Sequence, residues 1–292
     1  MQVTVFSCGG FVLGVSFNHA IADGVGMCQF LQAVGELSRG LPSPSIVPVR
    51  QEDSISFGVP PVMAKILQFL GTIRPSQMAL LNITVKESLI SRIKYKYASM
   101  NSGRTCSVFE AVAAVLWRCR TRAIMSMSKS KSNPEAVTAL ILPTNARKYA
   151  GAKQGYYGNC LLVELVTATT GAVANGDLVD IVQMIQGAKD RLPEQADVDE
   201  LLQVEPEDWY NILVAQCWRN IGLEALDFGA GRPSRVIKYY RGVTWLPECT
   251  ACIPCNDLRV YNVLSVCVKD DHSTAFLQEL ADAHLLFKPS PL

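Results

Sequence analysis

Two rhythms of apolar residues run through the 292-residue chain, one of about two residues and one of about three and a half. Val3 and Val5 alternate with polar neighbours, Cys8-Gly9-Gly10 reads as a turn, and Phe11 to Phe17 is a nearly continuous apolar run. Such a run is typical of a strand covered on both faces, so the first residues are expected to lie in the core. From Val25 the apolar positions Val25, Phe30, Leu31, Val34 and Leu37 fall at helical spacing, with Gly40 as the stop. Leu81 to Val85 reads as a strand and Glu87 to Tyr97 as a helix. Ser107 and Glu110 have the spacing of a capping box, in which each side chain satisfies the other's backbone N–H. They open a helix through Phe109, Ala113, Leu116 and Trp117. "ALILP" and "CLLVELV" read as buried strands, Asp177 to Arg191 as a helix, "VYNVLSVCV" as a strand and Ser273 to Leu285 as a closing helix. Strands and helices that alternate with long crossovers predict a layered α/β protein.

Connectors punctuate this pattern. Residues 41 to 61, with five prolines, predict a long connector and a boundary near 55 to 75. Residues 125 to 135 are a low-complexity loop and 193 to 208 an acidic connector. An apolar content of 49% is enough for a sizeable core. The net charge of +1 provides no field that would draw a nucleic-acid backbone or an acidic membrane surface. No apolar run reaches the roughly 18 residues of a membrane span, and the chain opens on no signal-like segment. The expectation is a soluble, cytoplasmic protein whose partners are small molecules, with its ten cysteines mostly reduced core thiols.

Only three histidines are present, and His19 stands at the end of the first apolar run, with Asp23 four residues on and Gly24 and Gly26 around the turn. One reading makes Asp23 a helix cap and His19 a satisfied core residue. The other makes His19 a general base projecting into a cleft from the end of a strand. No G-x-S-x-G elbow and no recognisable nucleophilic cysteine is found. A base here would therefore serve direct transfer, taking the proton from an acceptor hydroxyl or amine as it attacks an activated acyl carbonyl. His272 and His284, in or beside a polar helix, are expected to face solvent.

His19-Ala20-Ile21-Ala22-Asp23-Gly24 resembles the HxxxDG motif of the BAHD acyltransferases, plant enzymes that move an acyl group from coenzyme A to an alcohol or amine. "LDFGAGRP", Leu226 to Pro233, resembles that family's DFGWG signature, while "SVFEAVAAVLWRCR", "PTNARKY" and "GYYGNC" fall between the two in the family's order. The likeness extends over essentially the whole chain and is strongest to the alcohol acyltransferases. It implies an α/β, chloramphenicol-acetyltransferase-like two-domain layered fold whose first domain is incomplete. Residues 1–60 would be the remnant of the N-terminal domain, 61–80 the crossover connector and 81–292 the C-terminal domain. The resemblance makes His19 the general base and turns the Asp23 carboxylate away from substrate toward an arginine, for which Arg147 is the candidate. Gly24 would support the same turn. Asp227, Phe228, Gly229 and Gly231 would form a loop away from His19 that supports the fold and the coenzyme A entrance.

The sequence departs from the family pattern at three places. Ala230 stands where the signature has tryptophan, and Asn220 where an arginine is usual, with Arg219 one place early. Eighteen residues precede His19, where family members have well over a hundred, so the reading expects an N-terminally truncated chain with an open sheet edge. Acyl-CoA is then the co-substrate and a small alcohol or amine the acceptor, with no nucleic acid or membrane partner and a monomeric complete protein. The alternative is an inactive remnant that binds a thioester or a partner protein. Among rival signals, Cys249-x-x-Cys252-x-x-Cys255 lacks the fourth ligand of an iron–sulfur run, so no metal is expected. Gly229-Ala230-Gly231 lacks the third glycine and preceding strand of a dinucleotide loop. Arg118, Arg120, Arg122, Lys129 and Lys131 form a basic cluster that reads as a solvated helix end and loop, or as a site for a coenzyme A phosphate, with Lys129 and Lys131 the cofactor-binding candidates.

Overall fold

The computed structural model describes residues 1–50, 74–127, 133–190, 206–240, 242–252 and 260–285. Strands β1 (Gln2–Val5) and β2 (Phe11–Gly14) pair as an antiparallel hairpin, and helix α1 (Gly24–Ser38) follows. Next come β3 (Ser76–Gln77), β4 (Leu81–Lys86), α2 (Glu87–Met100), α3 (Val108–Met127), β5 (Val137–Asn145), β6 (Leu161–Thr169), α4 (Thr170–Asn175) and α5 (Leu178–Asp190). A 3-10 turn at Pro206–Asn211 leads to β7 (Ile212–Cys217), β8 (Val243–Thr244), β9 (Glu248–Ala251), β10 (Val260–Val266) and α6 (Asp270–Leu285). Six strands form one mixed sheet in the order β4-β10-β9-β7-β5-β6, with β7 parallel to both β5 and β9 and the other pairs antiparallel. The fold is α/β.

Helix α3 is the axis of the core. Its start is fixed by the capping box: the Glu110 N–H donates to Ser107 Oγ at 3.1 Å and the Ser107 N–H to Glu110 Oε2 at 2.8 Å. Every residue from Glu110 to Thr121 is buried, because α2, α5 and α6 surround the helix and the sheet lies beneath it. Trp117 is fully buried and its indole N–H donates to Thr138 Oγ1 of β5 at 3.1 Å, which gives a large apolar side chain its one required polar partner.

Three expectations are corrected. The N-terminal hairpin is not core: Val3, Val5, Phe11, Val12 and Phe17 are exposed, and the second strand ends at Gly14. β1 and β2 pair only with each other among the described strands; Leu13 and Val15 pack against the cluster of Cys28, Leu31, Leu223 and Leu226, and the other apolar positions lack a described covering layer. The α3 arginines are not a solvated patch. Arg118 and Arg120 are buried, and because α3 is enclosed, its cations bond to main-chain carbonyls. Arg120 donates from Nε to the Cys267 carbonyl at 2.7 Å and also to that of Tyr210, over whose ring it lies. Arg122 donates to the Ala174 carbonyl at 2.6 Å. Lys129 and Lys131 lie outside the described residues.

The third correction concerns His272 and His284, which are half-buried. The ring nitrogen Nδ1 of His272 shares a hydrogen bond with the Tyr210 hydroxyl at 2.9 Å. Burial pushes the pKa of both histidines down; Lys269 and Arg120 add to this at His272 against the opposing pull of Asp271, and Lys86 and Arg92 add to it at His284 against a hydrogen bond with the Thr84 main chain. The fold thus favours neutral imidazoles, whereas the unfolded chain takes up protons near pH 6.5, at about the ordinary value. Their contribution to stability is full above that pH and is lost as pH falls through the lowered folded values. The melting temperature is expected to be higher at about pH 7.5 than at about pH 5.5, with a shallower dependence in a His272→Gln, His284→Gln double variant.

Candidate active site

The turn that carries His19 is built by short polar side chains. Asn18 Oδ1 accepts from the Ala20 N–H at 2.9 Å and the Asn18 carbonyl from the Ile21 N–H at 3.0 Å, which reverses the chain after β2. Asp23 then caps α1 from an extended conformation, its Oδ1 accepting from the Gly26 N–H at 2.9 Å. Asp23 is fully buried.

Arg147, from the loop after β5, meets that carboxylate end-on. Its Nη1 donates to Asp23 Oδ2 and its Nη2 to Oδ1, both at 2.8 Å, and the Cys160 N–H donates to Oδ2 at 3.0 Å. Each carboxylate oxygen of Asp23 therefore accepts two hydrogen bonds and has no acceptor position to spare. The guanidinium is equally committed. Nε donates to the Tyr156 carbonyl at 3.1 Å, Nη2 also to the Gly158 carbonyl at 2.8 Å, and Nη1 also to Asn145 Oδ1 at 3.3 Å, so all five N–H bonds are used. The structure brings together the aspartate and the arginine named from the sequence, at a separation of 124 residues.

His19 lies outside this clamp. Its side chain is exposed, with the ring 5.9 Å from that of Phe17, so it is not a core histidine. Its main chain is held by a residue that the sequence gave no reason to single out: Asn159 Nδ2 donates to the His19 carbonyl at 2.7 Å. Two residues on, Arg50 Nη1 donates to the Ile21 carbonyl at 2.7 Å. The only prior signal for Asn159 was its place in "GYYGNC".

Gly24 sits against Ile221, and Gly26 lies so close to the 155–158 loop that a Cβ would come within 1.8 Å of the Tyr157 carbonyl oxygen. The Asp227 loop docks at the other end of α1. Asp227 Oδ1 accepts from the N–H groups of Gly229 at 2.8 Å and Gly231 at 3.0 Å, which holds its carboxyl below the usual range. Both glycines have positive φ, 100° and 88°, which a side chain would strain. The Phe228 carbonyl accepts from Ser38, that of Asp227 from Arg39, and Phe228 packs with Cys28, Leu31, Leu223 and Leu226. The loop is thus separated from His19 by the length of α1, about 22 Å at 1.5 Å for each of its 15 residues. Ala230 is exposed on it. Asn220 has a positive φ of 63°, a conformation that asparagine tolerates. Cys249 and Cys252 are buried, Cys255 is outside the described residues, and among the described residues no group of three potential ligands is placed to hold a metal ion. No described helix is long and apolar enough to cross a membrane.

A sheet backed by helices, with a histidine turn locked to it by a buried aspartate and arginine, is the arrangement of a chloramphenicol-acetyltransferase-like α/β fold. Residues 1–244 match the Transferase family, and the chain belongs to that family, the BAHD acyltransferases its motifs resemble. It is 43% identical to acyl transferase 15 of Oryza sativa subsp. japonica over 96% of the chain, but spans 65% of that relative's length. Among solved structures it is similar in fold to vinorine synthase, with a TM-score of 0.70 at 18% identity, covering 96% of this chain and 64% of the other. It is also similar to F. graminearum TRI101 complexed with coenzyme A and deoxynivalenol, with a TM-score of 0.60 at 15% identity, covering 87% and 62%.

Proposed function

We propose that the chain transfers an acyl group from acyl-CoA to the hydroxyl, or amine, of a small plant metabolite, with His19 as general base. The observation that carries this reading is the division of labour in the turn. Asp23 and Arg147 have every hydrogen-bonding position filled within the protein, while the His19 imidazole is exposed. His19 is then the group of the motif free to take a proton. It withdraws that proton as the acceptor oxygen attacks the thioester carbonyl, the C–S bond breaks, and the coenzyme A thiolate takes the proton back. The names of the relatives support acyl transfer, and the coenzyme A held by TRI101 supports the donor. The Asp227 loop supports the site through α1 and takes no part in proton transfer.

The test is coenzyme A release from acetyl-, benzoyl- and hydroxycinnamoyl-CoA with a panel of alcohols and amines, followed with a thiol reagent. Acceptor-dependent release is expected, reduced about 10²- to 10⁴-fold in His19→Ala with the melting temperature unchanged. Equal release from His19→Ala and the parent chain would exclude His19 as the base. Acceptor-dependent release that never occurs in folded parent protein would favour the reading of a thioester-binding remnant.

A further inference from the structure

We infer that Asn159 is the positioning residue of His19, transmitting the order of the buried Asp23–Arg147 clamp to the reactive imidazole; this rests on the assignment of His19 as base. Three consecutive residues reach three parts of one assembly. The Gly158 carbonyl accepts from Arg147 at 2.8 Å, the Cys160 N–H donates to Asp23 at 3.0 Å, and between them the Asn159 amide donates to the His19 carbonyl at 2.7 Å. Gly158 and Cys160 are buried and Asn159 is exposed, so a rigid, buried backbone on either side presents one side-chain amide at the surface where His19 stands.

The imidazole needs such a support. It is exposed, it is hydrogen-bonded to none of the clamp atoms, and its orientation follows from its main chain and the Phe17 ring beside it. Asp23 cannot orient the ring, since its oxygens are filled. The segment that holds Asn159 is itself anchored: the Tyr157 N–H donates to the Val49 carbonyl at 3.2 Å, the Val49 N–H to the Gly155 carbonyl at 2.8 Å, and the Ala146 N–H to the Cys160 carbonyl at 2.9 Å. A donor of the right length at position 159 thus ties the end of the turn farthest from Asp23 to the same loop that grips Asp23. Removing it frees the His19 backbone while leaving the clamp whole.

The test compares Asn159→Ala, Asn159→Asp and Asn159→Gln in the full chain, beside His19→Ala. Asn159→Asp keeps the size but loses the donor and sets a negative charge against the carbonyl, so it should be at least as impaired as Asn159→Ala, whereas Asn159→Gln retains a donor and should recover part of the rate. The expected result is a fall in kcat of about 10- to 100-fold for Asn159→Ala, the scale of a small misplacement, with KM and melting temperature close to those of the parent. The imidazole signal of His19, assigned in histidine-labelled protein by its absence from His19→Ala, should move or broaden in Asn159→Ala while those of His272 and His284 stay in place. Parent-like kcat and an unmoved His19 signal in Asn159→Ala and Asn159→Asp would overturn the inference. Turnover that survives in His19→Ala would instead overturn the assignment of the base, and the His19 signal alone would then decide whether Asn159 positions it.

Discussion

Replacing Arg147 with alanine is expected to destabilise the chain by about 3–5 kcal/mol and to abolish the proposed acyl transfer, because it strands a fully buried carboxylate. Asp23 would keep the N–H groups of Gly26 and Cys160 but lose both charged donors. The arginine is itself only slightly exposed, so solvent does little to replace it. Arg147→Lys is expected to rescue little. A lysine ammonium offers three donors at one point and cannot span both oxygens of Asp23 together with the carbonyls of Tyr156 and Gly158. Chemical denaturation measures the first effect and coenzyme A release the second. An Arg147→Ala chain as stable as its parent would show that the pair contributes nothing net to the fold. An Asp23→Asn, Arg147→Met double variant removes the stranded charge and should recover part of the stability without the rate; the shortfall reflects the Tyr156 and Gly158 carbonyls left without a donor and the Asn NH2 facing a backbone N–H.

Gly26→Ala is the second large effect. Elsewhere in a helix this change is neutral or favourable, since alanine has the better propensity by about 1 kcal/mol. Here the new methyl would meet the Tyr157 carbonyl oxygen at 1.8 Å and its carbon at 2.7 Å, both backbone atoms that no rotamer change can move. Helix α1 would have to back away from the 155–158 loop, stretching the bonds from Cys160 and Arg147 to Asp23. A displacement on the scale of an ångström would cost on the order of 100-fold in rate. Gly187 of α5 is the control, because a Cβ there meets nothing within 4 Å. Melting temperature should rise or hold in Gly187→Ala and fall in Gly26→Ala; a fall of equal size in both would remove the close approach as the cause.

Local chemistry was the part of this molecule that could be read from sequence. The capping box of Ser107 and Glu110, the helical spacing after Val25 and the H-x-x-x-D turn are each complete within a few residues, and each is found where its pattern lies. Strand β9 shows the opposite case. Its sequence "ECTA" has no apolar alternation, and a strand here was expected only from the family resemblance; Glu248 and Thr250 are buried, the carboxylate held by Lys238 at 2.6 and 2.7 Å from ten residues upstream. Charge neutralisation at a distance hides such a strand from any hydrophobic pattern. The hairpin is the mirror image, an apolar pattern that stays exposed apart from Leu13 and Val15. At the site, Arg147 was accessible only through the family resemblance, Asn159 had no signal beyond its place in "GYYGNC", and Arg50 carries no local mark. A side chain that donates to a main-chain carbonyl in another segment is an ordinary polar residue until both segments are placed.

The two ends of α1 depend on segments far along the chain, since Asp23 bonds to residues 124 and 137 positions away and Arg39 to one 188 positions away. The ribosome therefore releases the histidine turn long before its partners exist. At about 5–20 residues per second, the helix waits on the order of 10–40 s for the Asp227 loop. Through that interval its apolar side has Leu13 and Val15 to pack against but still lacks Leu223, Leu226 and Phe228, which complete the cluster later. A nascent chain stalled before residue 227 would therefore leave part of the apolar side of α1 without its partners and open to holding chaperones.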